Sequence, residues 1–397
     1  MKNRKNLLGW ASCLMLALPL LFSSCGIDDV GYGGIKGIDS GSAYAGESIG
    51  GQGDSTSHVQ AGILTAGEWC DVENWDFWQD LIREQNDSVN FASYLTYWGF
   101  QTQDRIGIAL QYNGSPLVNI PLTLQCDGKT IWSAKTDNRG RAELWLNLLP
   151  GTADILDSCR LYVNGEPKDV TLQAACLNTI DCDLASQASD LVQLAFVVDA
   201  TGSMSDEMDF LKEDLMDVLS AVKEQNQQLR LSTASVFYRD EGDEYVVKNN
   251  TFTENIQDNI NYISQQSAMG GGDYPEAVHK ALDATVQLPW NSDARARIAF
   301  MLLDAPAHYQ EDILSSLHRS VRQFAANGIK IIPVAASGVD KETEFMLRYF
   351  AMTTCGTYVF LTDDSGVGNS HLKPSVGPYE VKTLHELLQE LILRYSE

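Results

Sequence analysis

The chain has 397 residues, 44% of them hydrophobic, and carries a formal net charge of −25 from 53 acidic and 28 basic residues. That length and apolar content are enough to bury more than one core, so two domains are the starting expectation. The acidic balance argues against a nucleic-acid partner, since phosphate binding is dominated by Lys and Arg, and it disfavours direct contact with an anionic membrane surface.

Lys2, Arg4 and Lys5 precede the apolar stretch Leu7 to Phe22, which has the length and flanks of a signal-peptide core rather than a membrane span. The segment then reads Phe22-Ser23-Ser24-Cys25. Small residues directly before a cysteine resemble a lipoprotein signal, which implies that residues 1–24 are removed and that Cys25 is lipidated. An ordinary secretory signal cleaved nearby is the alternative. Asp28 and Asp29 lie beyond the position at which an aspartate retains a lipoprotein in the inner membrane. The resemblance therefore implies an outer-membrane lipoprotein, exposed at the cell surface, that touches the membrane only through its lipid. Losing three basic residues and no acidic one with the signal takes the formal charge from −25 to −28. Residues 25–61 are rich in glycine and serine and read as a flexible tether.

Residues 62–104 form an aromatic-rich segment with Trp69, Trp75, Trp78, Tyr94, Tyr97 and Trp98, and a helix is predicted over Trp75–Gln85. Aromatics at helical spacing point to packing against a neighbouring domain rather than to a carbohydrate or peptide surface. Over 105–180 the pattern changes to short alternating segments, Ile106–Tyr112, Val118–Leu124, Ile131–Thr136 and Ala142–Leu146, with turns at Asn113–Pro116 and Asp137–Gly140. This predicts a small antiparallel sandwich. Thr136-Asp137, then Gly140 and alternating apolar residues, resemble carboxypeptidase regulatory-like or immunoglobulin-like modules, which implies a spacer or interaction unit. Of eight cysteines, Cys13 leaves with the signal and Cys25 takes the lipid. Cys70, Cys126, Cys159, Cys176, Cys182 and Cys355 remain, an even number in an oxidising compartment, with connectivity unreadable from spacing. Cys176 and Cys182 are placed to close a short loop, and no CxxC pair suggests zinc.

Residues 188–397 alternate strands and helices, as a doubly wound α/β sheet requires. Strands are predicted at Leu191–Val198, Leu229–Tyr238, Ile298–Leu303, Ile329–Ala336 and Thr357–Leu361. Helices are predicted at Met204–Lys223, Glu276–Leu288, Asp312–Ala326, Glu342–Met352 and Val381–Tyr395. Where the first run ends stands Asp199-Ala200-Thr201-Gly202-Ser203. A carboxylate and two hydroxyls at alternate positions put three hard oxygen ligands around one point, which suits Mg²⁺, Mn²⁺ or Ca²⁺. The run Ile298–Leu303 ends in Asp304, and ligands of open α/β sheets collect beyond the carboxyl ends of strands.

Asp-x-Thr-x-Ser after the first strand, the glycines Gly270 to Gly272 opening a helix, and Asp304 ending a later strand together resemble a von Willebrand factor type A domain. The resemblance runs from about Asp190 to the C-terminus. It implies a Rossmann-like domain, here preceded by a small all-β sandwich, with a metal-ion-dependent adhesion site. Carried over, Asp199, Thr201 and Ser203 are first-loop ligands and Asp304 the third-loop carboxylate. Where many members have a threonine after the glycines, this chain has Asp273, followed by Tyr274, Pro275 and Glu276. As a fourth ligand, Asp273 would hold the cation more tightly and attract an acidic partner less.

Two other roles compete for the same residues. Ser203 is placed to cap a helix with Asp206 three residues on, and Asp273 to cap one starting at Tyr274, with Glu276 following. A phosphate cradle at the glycines lacks the Gly-Lys-Ser/Thr of a P-loop. Enzyme readings are thin: no Gly-x-Ser-x-Gly elbow is present, Ser203 has acids rather than a base for neighbours, and of His308, His279 and Glu276, which a metal hydrolase could recruit, the two histidines fit structural roles. The leading expectation is a non-enzymatic surface lipoprotein that binds an unidentified protein or extracellular ligand through its cation. The alternative is a metal-assisted hydrolase of exported glycan or peptide.

Overall fold

A computed structural model describes residues 64–83, 89–149, 155–365 and 371–397. The signal segment, Cys25 and the tether lie outside the described residues. In chain order the N-terminal part gives β1 (Thr65–Trp69), α1 (Trp75–Arg83) and α2 (Phe91–Tyr97). A strand-rich stretch follows: β2 (Arg105–Tyr112), β3 (Ser115–Pro116), β4 (Pro121–Cys126), β5 (Lys129–Lys135), β6 (Arg141–Trp145), β7 (Cys159–Val163), β8 (Glu166–Pro167) and β9 (Leu177–Asp181). Next come β10 (Leu191–Asp199), α3 (Ser205–Gln225), β11 (Arg230–Tyr238), β12 (Val247–Asn249), α4 (Ile256–Ser264) and α5 (Val278–Val286). The chain continues with β13 (Ala296–Leu303), α6 (Glu311–Asn327), β14 (Ile329–Ala335), α7 (Lys341–Thr353), β15 (Tyr358–Thr362), β16 (Lys382–Thr383) and α8 (Leu384–Ser396).

The large sheet has eight strands in the order β12-β11-β10-β13-β14-β15-β1-β16. Its five central strands, β11 to β15 in that order, are parallel, and the edges are antiparallel. Every residue of β10 is buried, as in a strand covered on both faces. Val192, Leu194, Phe196 and Val198 join Leu211, Leu215 and Val218 of α3 and Leu388 and Leu391 of α8. Ala195 and Val197 enter the opposite core with α5, α6 and α7. Each such aliphatic side chain contributes about 1.5–3 kcal/mol on burial. From β10 the chain leads first to β11 on one side and later to β13 on the other. The winding therefore reverses beside β10, and a crevice opens beyond the carboxyl ends of β10 and β13.

The aromatic segment does more than pack. Its β1 pairs antiparallel with β15, from Thr65↔Thr362 to Trp69↔Tyr358, and so enters the sheet that the sequence reading assigned to residues 188–397. Trp78, Phe91 and Phe100 are fully buried against α7, with Trp78 stacked on Phe345 and Phe100 on Tyr349.

Residues 105–181 form two four-stranded sheets, β5-β4-β7-β8 and β3-β2-β6 with β9 beside β2. Burial alternates along β4 as a half-buried strand requires. The arrangement is not wholly antiparallel, because β9 runs parallel to β2, tied by Asn178 Nδ2 donating to Gly107 O at 3.0 Å. Ile108, Leu144, Leu122 and Leu161 share one apolar cluster with Leu317 of α6 and Phe345 of α7. Buried polar contacts cross the same boundary: Lys330 Nζ meets Asp137 Oδ2 at 3.1 Å, and Arg297 Nη2 donates to Asn119 Oδ1 at 3.0 Å.

A disulfide joins Cys126 and Cys159, which face each other in the β4–β7 ladder. Closing a loop of this size contributes about 3–4 kcal/mol in the chain-entropy account. The expected Cys176–Cys182 loop does not close: both are free, Cys176 exposed and Cys182 buried. The five residues between them run extended as β9, and at about 3.3 Å per residue they carry the two cysteines well beyond the roughly 5.5–6 Å a disulfide allows. Among the described residues no helix is long and apolar enough to cross a membrane.

Candidate metal centre

Asp199 ends β10 wholly buried. Its Oδ1 accepts the Thr201 backbone N–H at 2.9 Å and the Thr201 hydroxyl at 2.7 Å. Its Oδ2 is buried with no hydrogen-bond partner, and the buried Tyr238 hydroxyl beside it approaches without reaching hydrogen-bond geometry. Burial pushes the Asp199 carboxyl up to about 7, against the Thr201 bonds that hold it down and with the Asp304 charge adding to the rise. Thr201 Oγ1 and Ser203 Oγ lie 3.4 Å apart. Asp304 follows β13 directly; burial raises its carboxyl too, while a hydrogen bond from Ser203 lowers it. Neighbouring parallel strands thus deliver two acids to the switch point.

The glycine loop is stitched to the first loop by Gly202 N donating to Gly270 O at 3.1 Å and Met269 N to Ala200 O at 2.9 Å. Gly270 and Gly271 have φ of +82° and +77°, the left-handed region that glycine enters without strain. Asp243 Oδ2 accepts from Gly271 N at 3.0 Å and from Asp240 N at 3.2 Å, fastening the end of β11 to this loop. Glu276 pairs with Ala307 in an isolated parallel bridge, its N–H donating to Pro306 O at 2.9 Å. That bridge fixes residues 273–277 against the segment after β13. The outcome is an open cleft of about 400 Å³ lined by Thr201, Ser203, the glycines, Asp273, Glu276 and Asp304.

Residues 193–366 match the von Willebrand factor A domain family. A von Willebrand factor A domain is therefore found at residues 193–366. Such domains are in general interaction modules, and many hold a divalent metal. Over 218 residues, 54% of its length, the chain is 23% identical to the alpha-protein kinase vwkA of Dictyostelium discoideum, covering 34% of that protein. Over 131 residues, 33% of its length, it is 30% identical to the putative ariadne-like RING finger protein R811 of Acanthamoeba polyphaga mimivirus, covering 13% of it. The chain thus spans about a third of the first of these relatives and less of the second. Among solved structures, the conserved hypothetical protein BatB from Bacteroides thetaiotaomicron aligns over 52% of this chain and 98% of its own at 11% identity and a TM-score of 0.36.

Within this von Willebrand factor A domain, the capping roles weighed for Ser203 and Asp273 are not what the structure contains. The N-cap of α3 is Met204, with no side-chain cap bond, and that of α5 is Ala277. Asp273 cannot cap a helix that begins at Val278, and the Glu276–Ala307 bridge is the reason the helix starts late. Asp273, Asp240 and His308 instead gather, each offering one ligand atom within 4.8 Å of the others. His308 does not bond locally: its Nε2 lies 2.7 Å from Asp240 Oδ1, across 68 residues of sequence. His279, buried on α5, is outside the cleft lining. Glu276 is buried, its Oε2 has no hydrogen-bond partner, and burial with Asp199, Asp240, Asp304 and Asp243 nearby pushes its carboxyl up to about 9. Sequence reasoning missed Asp240 and Asp243. Asp240 stands two residues beyond β11, at the kind of strand end that drew attention to Asp304.

Proposed function

We propose that this chain is an exported, lipid-anchored binding protein whose von Willebrand factor A domain holds a divalent cation and uses it to engage an oxygen of a partner. The observation that carries the reading is Asp199: a fully buried carboxylate with one orphaned oxygen, beside two hydroxyls and Asp304, is a costly arrangement unless a cation joins it. All four donors are hard oxygens, the set that suits Mg²⁺, Mn²⁺ or Ca²⁺. Bound there, the cation would supply a Lewis-acidic position facing the cleft.

The protein's own residues do the rest. Asp199 brings charge from below, and its bonds with Thr201 orient the first loop. Ser203 links that loop to Asp304. Asp273 on the rim adds negative charge, which favours retention of a cation and disfavours an acidic partner. The signal-like N-terminus and Cys25 support an outer-membrane, surface-facing address, and the strand-rich residues 105–180 support a carboxypeptidase regulatory-like or immunoglobulin-like spacer.

Titrating Mn²⁺ or Mg²⁺ calorimetrically into the metal-stripped mature chain tests the reading. Binding is expected, with a gain of about 2.7 kcal/mol in folding stability at one hundred times Kd, and Asp199→Asn should abolish both for Mg²⁺, the ion that suits only the oxygen-donor site. Absence of any divalent-ion binding at millimolar concentration overturns the proposal.

A further inference from the structure

Carboxyl groups crowd around Glu276. Asp199, Asp240, Asp243 and Asp304 all act on Glu276, and Asp273 lines the same cleft. Arg239, next to Asp240 in the chain, is engaged elsewhere: Nε donates to Ala200 O at 3.1 Å and Nη2 to Ser267 O at 2.9 Å. From the geometry we infer a second metal site, built by Asp240, Asp273 and His308, that takes a borderline ion such as Zn²⁺ through one imidazole nitrogen and two carboxylate oxygens.

Three features support it. First, the three ligand atoms already lie within 4.8 Å of one another. Zinc bonds of about 2.0–2.2 Å in tetrahedral geometry place ligand atoms about 3.4 Å apart, so shifts of roughly an ångström suffice, the Asp240–His308 pair opening and Asp273 closing in. Second, two ties hold the segments that carry the ligands: Asp243 fastens Asp240 to the glycine loop, and the Glu276–Ala307 bridge joins the segment of Asp273 to that of His308. Third, Glu276 Oε2, buried and without a partner, faces the same cleft and is free to serve as a further acceptor for the ion or its water. The nitrogen donor separates this site from the oxygen-only set at Asp199, Thr201, Ser203 and Asp304, and three protein ligands leave one coordination position open. The second site does not rest on the first.

The test uses the metal-stripped mature chain carrying Asp199→Asn, which removes the first site, dialysed against Zn²⁺ and counted by plasma mass spectrometry. One tightly bound Zn²⁺ per chain is expected. Adding His308→Gln keeps a donor to Asp240 but removes the imidazole, and should cost more than the roughly 10- to 100-fold that an outer-shell partner is worth. A second readout needs no variant: in wild type loaded with Mn²⁺, pulsed electron paramagnetic resonance should detect coupling to a histidine ¹⁴N. Unchanged zinc binding in the His308→Gln chain, or no ¹⁴N coupling in wild type, overturns the second site alone. A wild-type chain that binds zinc but no Mg²⁺ would instead overturn the proposed function alone.

Discussion

Asp71→Ala should be among the most damaging single changes in this chain, although Asp71 does not line the cleft and belongs to the aromatic-rich segment that precedes both predicted domains. Arg348 on α7 is fully buried and meets Asp71 in a two-pronged pair, Nη2 to Oδ1 at 2.6 Å and Nε to Oδ2 at 3.0 Å. Its remaining donor, Nη1, reaches Ser375 O at 2.6 Å and Glu344 Oε1 at 3.3 Å. The guanidinium also lies over Trp78 and Phe91, at 5.1 and 5.4 Å from their ring centres. Removing Asp71 leaves a buried cation with Glu344 alone as counter-charge, and Lys341 Nζ already competes for Glu344 at 2.7 Å. Breaking a buried pair from one side costs about 3–5 kcal/mol, and the Trp69 indole N–H, which donates to Asp71 Oδ1 at 3.1 Å, loses its acceptor for about 1 kcal/mol more. Total folding stability is only about 5–15 kcal/mol, so Asp71→Ala should lose roughly a third of it or more. Urea unfolding followed by tryptophan fluorescence reads this directly. Pairing it with Arg348→Met should recover stability, because the stranded charge goes with its partner. A loss below about 1 kcal/mol for Asp71→Ala, or a double variant as costly as the two singles summed, would refute the account.

Two further outcomes follow from local geometry. Burial pushes the Cys70 thiol up to about 12 and the Cys355 thiol up to about 11, so at pH 8 no more than about one in a thousand of either is the reactive thiolate. Iodoacetamide at that pH should label the exposed Cys176 in the native chain and reach Cys70, Cys182 and Cys355 only after unfolding; mass spectrometry showing Cys70 or Cys355 labelled as fast as Cys176 contradicts the burial argument. Gly270→Ala places a side chain at a φ of +82° and drives its Cβ into the Asp243 carboxylate, which should cost about 1–3 kcal/mol. The same shift loosens the tie between Asp240 and the glycine loop, so thermal melts in chelator and Mn²⁺ titrations should both weaken; wild-type values in both would show the loop is not held as described.

What was legible in the sequence was whatever one segment states by itself. The apolar run ending at Asp199, broken only by Gln193, announces a doubly covered parallel strand, and the run ending at Asp304 announces another, so both acids stand out before any packing is known. β1 was not legible: Thr-Ala-Gly-Glu-Trp lacks an alternating pattern, and its partner strand lies 297 residues away. The Cys126–Cys159 bond needed the β4–β7 register, which spacing alone cannot supply. Asp273 shows the same limit at the site itself. Its neighbours in sequence, Tyr274-Pro275-Glu276, read as the first turn of a helix, and helix propensity is a weak prior that tertiary contacts override. Here a single bridge to Ala307 suffices, because residues 304–308 are already fixed by a central strand while residues 273–277 have no hydrogen-bonded ladder of their own. The helix gives way, Asp273 is released from capping, and its carboxylate meets Asp240 and His308 from two other strand ends. A constellation made of residues 240, 273 and 308 exists only once the order β11-β10-β13 is known, since that order is what brings the three loops to one side of the sheet.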